Sequence, residues 1–251
     1  MSKVIFLLMM LMVPVMATPQ TSDADLRIAQ LPALSVTGHE VNCQGLRVVI
    51  SGSNDLVDAT NAASVDFSGL TDLNYGYYNP SVTVSGLPIL NGNADSLFHA
   101  ITTYTGSLIT INASGCGITS AASLTVPATN AYLNFSGNQI PSLDLSSGAI
   151  TLGYGTMFDF ANNPTLTTIV PGDGTSTGII GWNANAVTFQ GCALTQASED
   201  ALLNACVAAE TAVPGQNGGL DLSGGTNAVP DSTGASDIAL LVGAGWSITT
   251  N

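Results

Sequence analysis

Positive charge is nearly absent from this 251-residue chain. Lys3, Arg27 and Arg47 are its only lysine and arginine residues, and charged residues of both signs make up 8% of it, against a usual share of about 25%. A surface so poor in cations has almost no means of neutralising phosphates, which argues against DNA or RNA as a partner. The same acidic field disfavours adsorption to anionic lipid. Histidine is as scarce: His39 and His99 stand far apart without Cys or Glu at ligand spacing, so metal coordination and acid–base catalysis lack the converging groups they need. No G-x-S-x-G elbow is present, and the many serines sit in turn-like contexts, which leaves a serine hydrolase unsupported. The four cysteines contain no C-x-x-C pair and so no zinc signature. These absences predict a protein that is not an enzyme and needs no cofactor.

Long apolar runs are missing too, with one exception at the start. Met1 to Ala17 reads MSKVIFLLMMLMVPVMA: one basic residue, an apolar run, a helix-breaking Pro14 and small residues near Ala17. This is the layout of a secretory signal cleaved after Ala17, and it is shorter than the roughly 20 residues a bilayer span requires. No cysteine follows to carry a lipid. The expectation is a secreted or cell-surface protein that does not insert in a membrane once the signal is removed.

What the chain does contain is a recurring apolar pattern. Tyr132 to Ile150, YLNFSGNQIPSLDLSSGAI, holds Φ-x-Φ-x-x-N/G-x-Φ twice, as Leu133, Phe135, Asn138, Ile140 and as Leu143, Leu145, Gly148, Ile150. Ser64–Leu73 (SVDFSGLTDL) and Ser81–Leu90 (SVTVSGLPIL) share S-V-x-Φ-S-G-L-x-x-L at an offset of 17 residues. Alternation gives a strand, Ser-Gly the turn out of it, and the later leucines a return to the core. Leu108–Ile118, Phe158–Ile169 and Val187–Leu194 fit the same register. Spacing is uneven, with loops expected at Gly153–Thr156 and Pro171–Ala184. A short helix is expected within Asn91–Thr105, from Leu97 and Ile101 at helical spacing.

The end differs in kind. Thr195 predicts the N-cap of a helix over Gln196–Glu210, followed by a strand at Leu220–Ser223, a second helix over Asp231–Val242 and a last strand at Trp246–Thr249. The division expected is a signal peptide over 1–17, an N-terminal tail and cap over 18–44, a repeat region over 45–194, and an α/β end module over 195–251. In that tail, Asp25 to Leu31 reads as a short amphipathic piece stopped by Pro32.

These residues resemble leucine-rich repeats, in particular the nested bacterial and phage kind in which two Φ-x-Φ-x-x-N-x-Φ units share about one ordinary repeat. The C-terminal run ALTQASEDALLNACVAAE, GLDLSGGTNAVP and GWSITTN is similar to a strand-helix-strand module that ends repeat proteins of bacteria and tailed phages. The resemblance implies an α/β fold, an irregular parallel β-solenoid with a C-terminal β-α-β-α-β cap. It also implies adhesion or protein recognition rather than catalysis.

On that frame the middle x of Φ-x-Φ faces outward, so stacked units place Asp66, Thr83, Asn112, Asn134, Asp144, Asp159, Thr188 and Asp221 in one row. A second row follows with Ser68, Ser85, Ser114, Ser136, Ser146, Ala161, Gln190 and Ser223. The face expected is flat, polar and without an aromatic anchor. Its ligand-binding candidates are Asn112, Asn134, Ser136, Asp144, Ser146, Asp159, Thr188 and Asp221. Asp144 and Asp159 would repel as direct neighbours, a repulsion that a calcium ion or a cationic partner would relieve. Asn112-Ala-Ser114 and Asn134-Phe-Ser136 match the glycosylation acceptor by coincidence, since both fall on strands. Cys116 and Cys192 occupy the slot of Asn138 and Asn163, where buried thiols are the better reading. If one bridge exists in this exported chain, Cys192 with Cys206 is its pair. The function expected is recognition or adhesion of a protein or glycan through this face. The alternative is a structural subunit of a surface layer, filament or phage appendage, with self-assembly as its partner chemistry.

Overall fold

The computed structural model describes residues 25–28, 47–54, 56–58, 64–73, 80–106, 108–125, 130–152, 157–182 and 186–251. The leader, Lys3, His39, Cys43 and the loop at 153–156 lie outside the described residues. The chain is α/β: short parallel strands with three α-helices among the described residues. Every described strand pairing is parallel.

The largest sheet takes its strands in chain order. It consists of β3 (Leu56–Asp58), β5 (Ser81–Thr83), β6 (Leu108–Asn112), β8 (Asn130–Asn134), β11 (Met157–Asp159), β14 (Ala186–Thr188), β15 (Gly219–Asp221) and β16 (Ser247–Thr249). The segments between these strands supply the rest. β7 (Ala122–Ser123), β9 (Ser142–Asp144) and β12 (Thr168–Val170) make a second parallel sheet, and β10 (Ala149–Leu152) pairs with β13 (Gly178–Trp182). At the N-terminal side β1 (Asp25–Ile28), β2 (Arg47–Asn54) and β4 (Ser64–Leu73) form a third sheet. Helices α1 (Asp95–Thr103), α2 (Gln196–Ala212) and α3 (Ser232–Gly243) connect strands of the large sheet. Parallel neighbours need such crossovers.

Three expectations are corrected here. The piece beginning at Asp25 is a strand paired with β2, not part of an irregular tail. The span expected as a loop from Pro171 contains β13. Its Gly-rich sequence hid a strand because its apolar residues do not alternate. The bridge between Cys192 and Cys206 does not form: Cys116, Cys192 and Cys206 are free and buried, and the Cys192 thiol donates instead to Phe160 O at 3.2 Å.

The apolar positions of the repeats point inward. Phe98, Phe135, Phe160 and Phe189 form a ladder with ring centroids 5.3, 5.4 and 6.1 Å apart, and Phe158 joins it 5.0 Å from Phe160. All five are buried. Each stabilises the fold by about 1.5–3 kcal/mol relative to an exposed ring.

The turns leaving the large sheet stack as well. Gly86, Gly115, Gly137, Gly191 and Gly224 hold the same left-handed position, which Asn162 fills at φ 56°. That conformation is cheap for Gly and tolerated by Asn. Turn meets turn through Gly115 N to Ser136 O, Gly137 N to Ala161 O and Asn162 N to Gln190 O, at 2.7–2.8 Å.

Beneath the turns runs a row of buried side chains that satisfy backbone groups. Asn138 Oδ1 accepts from Cys116 N and Ile118 N at 2.9 and 3.1 Å, and its Nδ2 donates to Ala113 O and Phe135 O. Asn163 repeats this between Ile140 N, Phe135 O and Phe160 O. Cys116 in the same slot donates to Val84 O. Asn227 continues the row, accepting from Leu194 N and donating to Phe189 O and Leu222 O.

The end module forms as its capping chemistry dictates. Thr195 Oγ1 accepts from Ser198 N at the start of α2, and Asp231 Oδ1 from Thr233 N and Gly234 N at the start of α3. Among the described residues no helix is long and apolar enough to cross a membrane.

Candidate functional site

The outer face of the large sheet is the candidate site, and strand register decides which residues it holds. Thr83, Asn112, Asn134, Asp159, Thr188, Asp221 and Thr249 follow one another as direct cross-strand neighbours. Two expected members belong elsewhere. Asp144 sits in the second sheet between Ser123 and Val170, and Asp66 in the third sheet opposite Val49. The neighbours of Asp159 are therefore Asn134 and Thr188, and no repulsion with Asp144 calls for calcium. Among the described residues no group of three or more His, Cys, Asp or Glu is placed to hold a metal ion.

Most of the candidate side chains are already engaged by their own turns. Asn134 Oδ1 accepts from Ser136 N at 3.0 Å and Ser136 Oγ at 2.7 Å. Asp144 does the same with Ser146 at 2.8 and 2.7 Å, and Asp221 with Ser223 at 2.9 and 2.7 Å. Asn112 is held by Ser114 Oγ at 3.0 Å, and Thr188 Oγ1 accepts from Gln190 N at 3.2 Å. Asp66 accepts from Ser68 N. These are Asx and ST contacts, in which a short side chain accepts from the N–H two residues on; they end each strand except β4, which continues past Asp66. The serine hydroxyls are spent inward, so the face offers ligands the Nδ2 groups of Asn112 and Asn134, the second oxygens of its carboxylates and the serine lone pairs.

Asp159 departs from the pattern. Ala161 stands where a serine would, leaving only the backbone donor Ala161 N at 2.8 Å. It is nearly buried, and burial pushes its carboxyl above the usual range while the Ala161 N–H opposes that rise.

The structure adds a residue that the sequence reading passed over. Two positions before each member of the row lies a second outward row, with Ser81, Thr110, Tyr132 and Met157 as cross-strand neighbours. Tyr132 is 36% exposed, so the face does have an aromatic side chain. Neighbouring strands are about 4.8 Å apart, and residues i and i+2 about 6.6 Å apart along a strand. Tyr132 thus stands within reach of Thr110, Met157 and Asn134. The signal was present in YLNF, where Tyr132 and Asn134 share one side of the strand.

Histidine chemistry gains nothing from the fold. His99 lines a shallow cavity of about 270 Å³ beside α1 with Asp95, Phe98, Thr102, Ala121 and Ser123, which contributes only two titratable groups. Of the three cysteines among the described residues, burial pushes the Cys192 thiol up to about 11 and raises Cys116 and Cys206 as well, so none of these three is a poised nucleophile. Comparison of the chain with family models, with curated proteins and with solved structures finds no match.

Proposed function

We propose that this chain is an exported, non-enzymatic recognition or adhesion module, an irregular leucine-rich-repeat-like solenoid that binds a protein or glycan ligand through the outer face of its large sheet. One observation carries the reading: Tyr132 is exposed on a flat parallel face, beside the Asn112 and Asn134 row. An aromatic ring flanked by amides suits the combination of an apolar ring face and hydroxyl edges that a sugar presents. Between the two ligand classes a glycan is favoured, because the row lacks the large apolar patch that marks protein contacts.

The test uses the mature protein against an array of polysaccharide and glycan probes, with Tyr132→Ala as the comparison. Tyr132 is a surface side chain, so the variant folds as the parent does by circular dichroism. Binding that falls tenfold or more in Tyr132→Ala supports the face. Binding that is unchanged places the contact elsewhere and refutes it.

A second reading, a subunit of a layer, filament or appendage, has its own observation. Residues 238–251 carry no charged side chain. In that stretch β16 forms the edge of the large sheet, and Leu240 and Val242 of α3 are exposed. Edge strands are normally protected by charge or proline, and this one has neither. Light scattering at rising concentration separates the two readings: a strict monomer counts against assembly.

A further inference from the structure

The two helices of the end module carry carboxylate oxygens that nothing satisfies. Glu199, in the first turn of α2, is fully buried, and neither of its oxygens has a hydrogen-bond partner. Asp237 on α3 is 7% exposed, and its Oδ2 likewise has none. A buried polar group without a partner costs free energy, and an ionised one far more, so such a carboxyl holds its proton instead.

The surroundings leave no other remedy. α2 packs against α3, β12 and β13. β12 and β13 contain no titratable residue, and the segment between them contributes only Asp173. α3 contributes Asp237 and, at its N-cap, Asp231. α2 itself carries Asp200, Cys206 and Glu210 beside Glu199. Glu210 is engaged elsewhere, accepting from Gly215 N, Gln216 N and Trp246 Nε1. Asp200 accepts from Asp231 N. From residue 195 to 251 the chain has no Lys, Arg or His. The ionisable groups of α2 and of the elements packed against it are thus carboxyls and a thiol, with no cation among them.

We propose that the α2–α3 end module is an acid-tightened clasp, closed while Glu199 and Asp237 are protonated and loosened when they ionise. Burial first, and Asp200 second, push the Glu199 carboxyl up to about 7. Burial, then Asp200 and Asp231, raise Asp237. The sign follows from linkage. A carboxyl that binds its proton more tightly folded than unfolded adds stability that is complete below its ordinary value of 4.5, and that stability is lost as pH rises through about 7. The clasp is therefore tight in mildly acidic surroundings and looser above neutrality.

The experiment is hydrogen exchange and urea unfolding of the mature protein between pH 5 and pH 8, comparing the parent with Glu199→Gln, which keeps the shape and removes the titration. In the parent, protection of α2 and α3 amides, corrected for intrinsic exchange, is expected to fall on the order of 100-fold across the window. Amides of β8 and β11 are expected to change less. Glu199→Gln should lose most of this pH dependence. An equal dependence in the variant overturns the proposal. Should the variant fail to fold, the side-chain carboxyl of Glu199 is titrated by carbon NMR in the parent. A midpoint near 7 supports the clasp, and one at or below 5 overturns it.

Discussion

Asn138 offers the sharpest test of how the stacked turns are held. It is 2% exposed and ties its own turn to the preceding one, accepting from Cys116 N and Ile118 N and donating to Ala113 O and Phe135 O. Asn138→Ala removes the one oxygen that accepts from both N–H groups, in a place water does not reach. A buried group left without a partner costs about 1–3 kcal/mol. Two such donors, together with the weakened carbonyls, put the loss at about 3–5 kcal/mol, a large part of a typical total of 5–15 kcal/mol. Asn138→Cys should fall between parent and Ala, since Cys116 and Cys192 fill this slot by donating to Val84 O and Phe160 O. A thiol supplies the donor but is a weak acceptor. Asn138→Asp should be the worst at neutral pH, because it keeps the acceptors, loses the donors and buries a charge. Equilibrium urea unfolding gives the ranking, and hydrogen exchange at Cys116 and Ile118 locates the damage. A loss under about 1 kcal/mol for Asn138→Ala would refute the reasoning, as would Cys and Ala variants of equal stability.

Two further outcomes follow from the same contacts. Cys116, Cys192 and Cys206 are enclosed, with thiols raised by burial, so a thiol reagent at pH 8 should leave them unmodified in the folded protein and label them in denaturant. Rapid native labelling of any of these three, located by peptide mass mapping, would contradict the packing. At Asp144 and Asp221, replacement by Asn keeps the Oδ1 acceptor of the turn and should change stability by less than about 0.5 kcal/mol, whereas Ala should cost about 1 kcal/mol at each. Urea unfolding of the four single variants checks this, and equal effects of Asn and Ala would show that the turn bonds contribute nothing.

The sequence carried the local elements well and the assignment of strands to sheets poorly, for a physical reason. Thr195 caps its helix where expected because capping depends on a few adjacent residues, and the helix expected from Asp231 begins one residue later with Asp231 as its cap. The apolar positions were legible because residues such as Leu133, Phe135, Leu143 and Leu145 are buried whichever sheet they join. Which sheet it joins depends on how much chain lies between units, and Φ-x-Φ is written the same way in each. Leu133 and Leu143 look alike, yet Leu133 lies in the large sheet and Leu143 in the second, which is why Asp144 left the row assigned to it. Asn227 escaped notice because it stands five residues after Leu222, where Asn138 stands three after Phe135. The slot is recognised by the backbone it meets, not by spacing alone.

This placement also changes what the acidity of the chain means. Of 17 acidic residues in the sequence, only three, Glu40, Glu199 and Glu210, are glutamates. A surface charged for solubility or for steering a cationic partner has no reason to avoid glutamate, since both carboxylates bear the same charge. A turn does, because only the shorter side chain reaches the N–H two residues on. Asp144, Asp159 and Asp221 do this at strand ends, Asp66 does it within β4, Asp173 does it in the loop between β12 and β13, and Asp231 caps α3. Asn112 and Asn134 hold the same strand-end position without charge. The negative charge is in large part a by-product of turn chemistry, so the search for a ligand is better directed by the side chains the turns leave over. On the large sheet these are the ring of Tyr132 and the amides of Asn112 and Asn134.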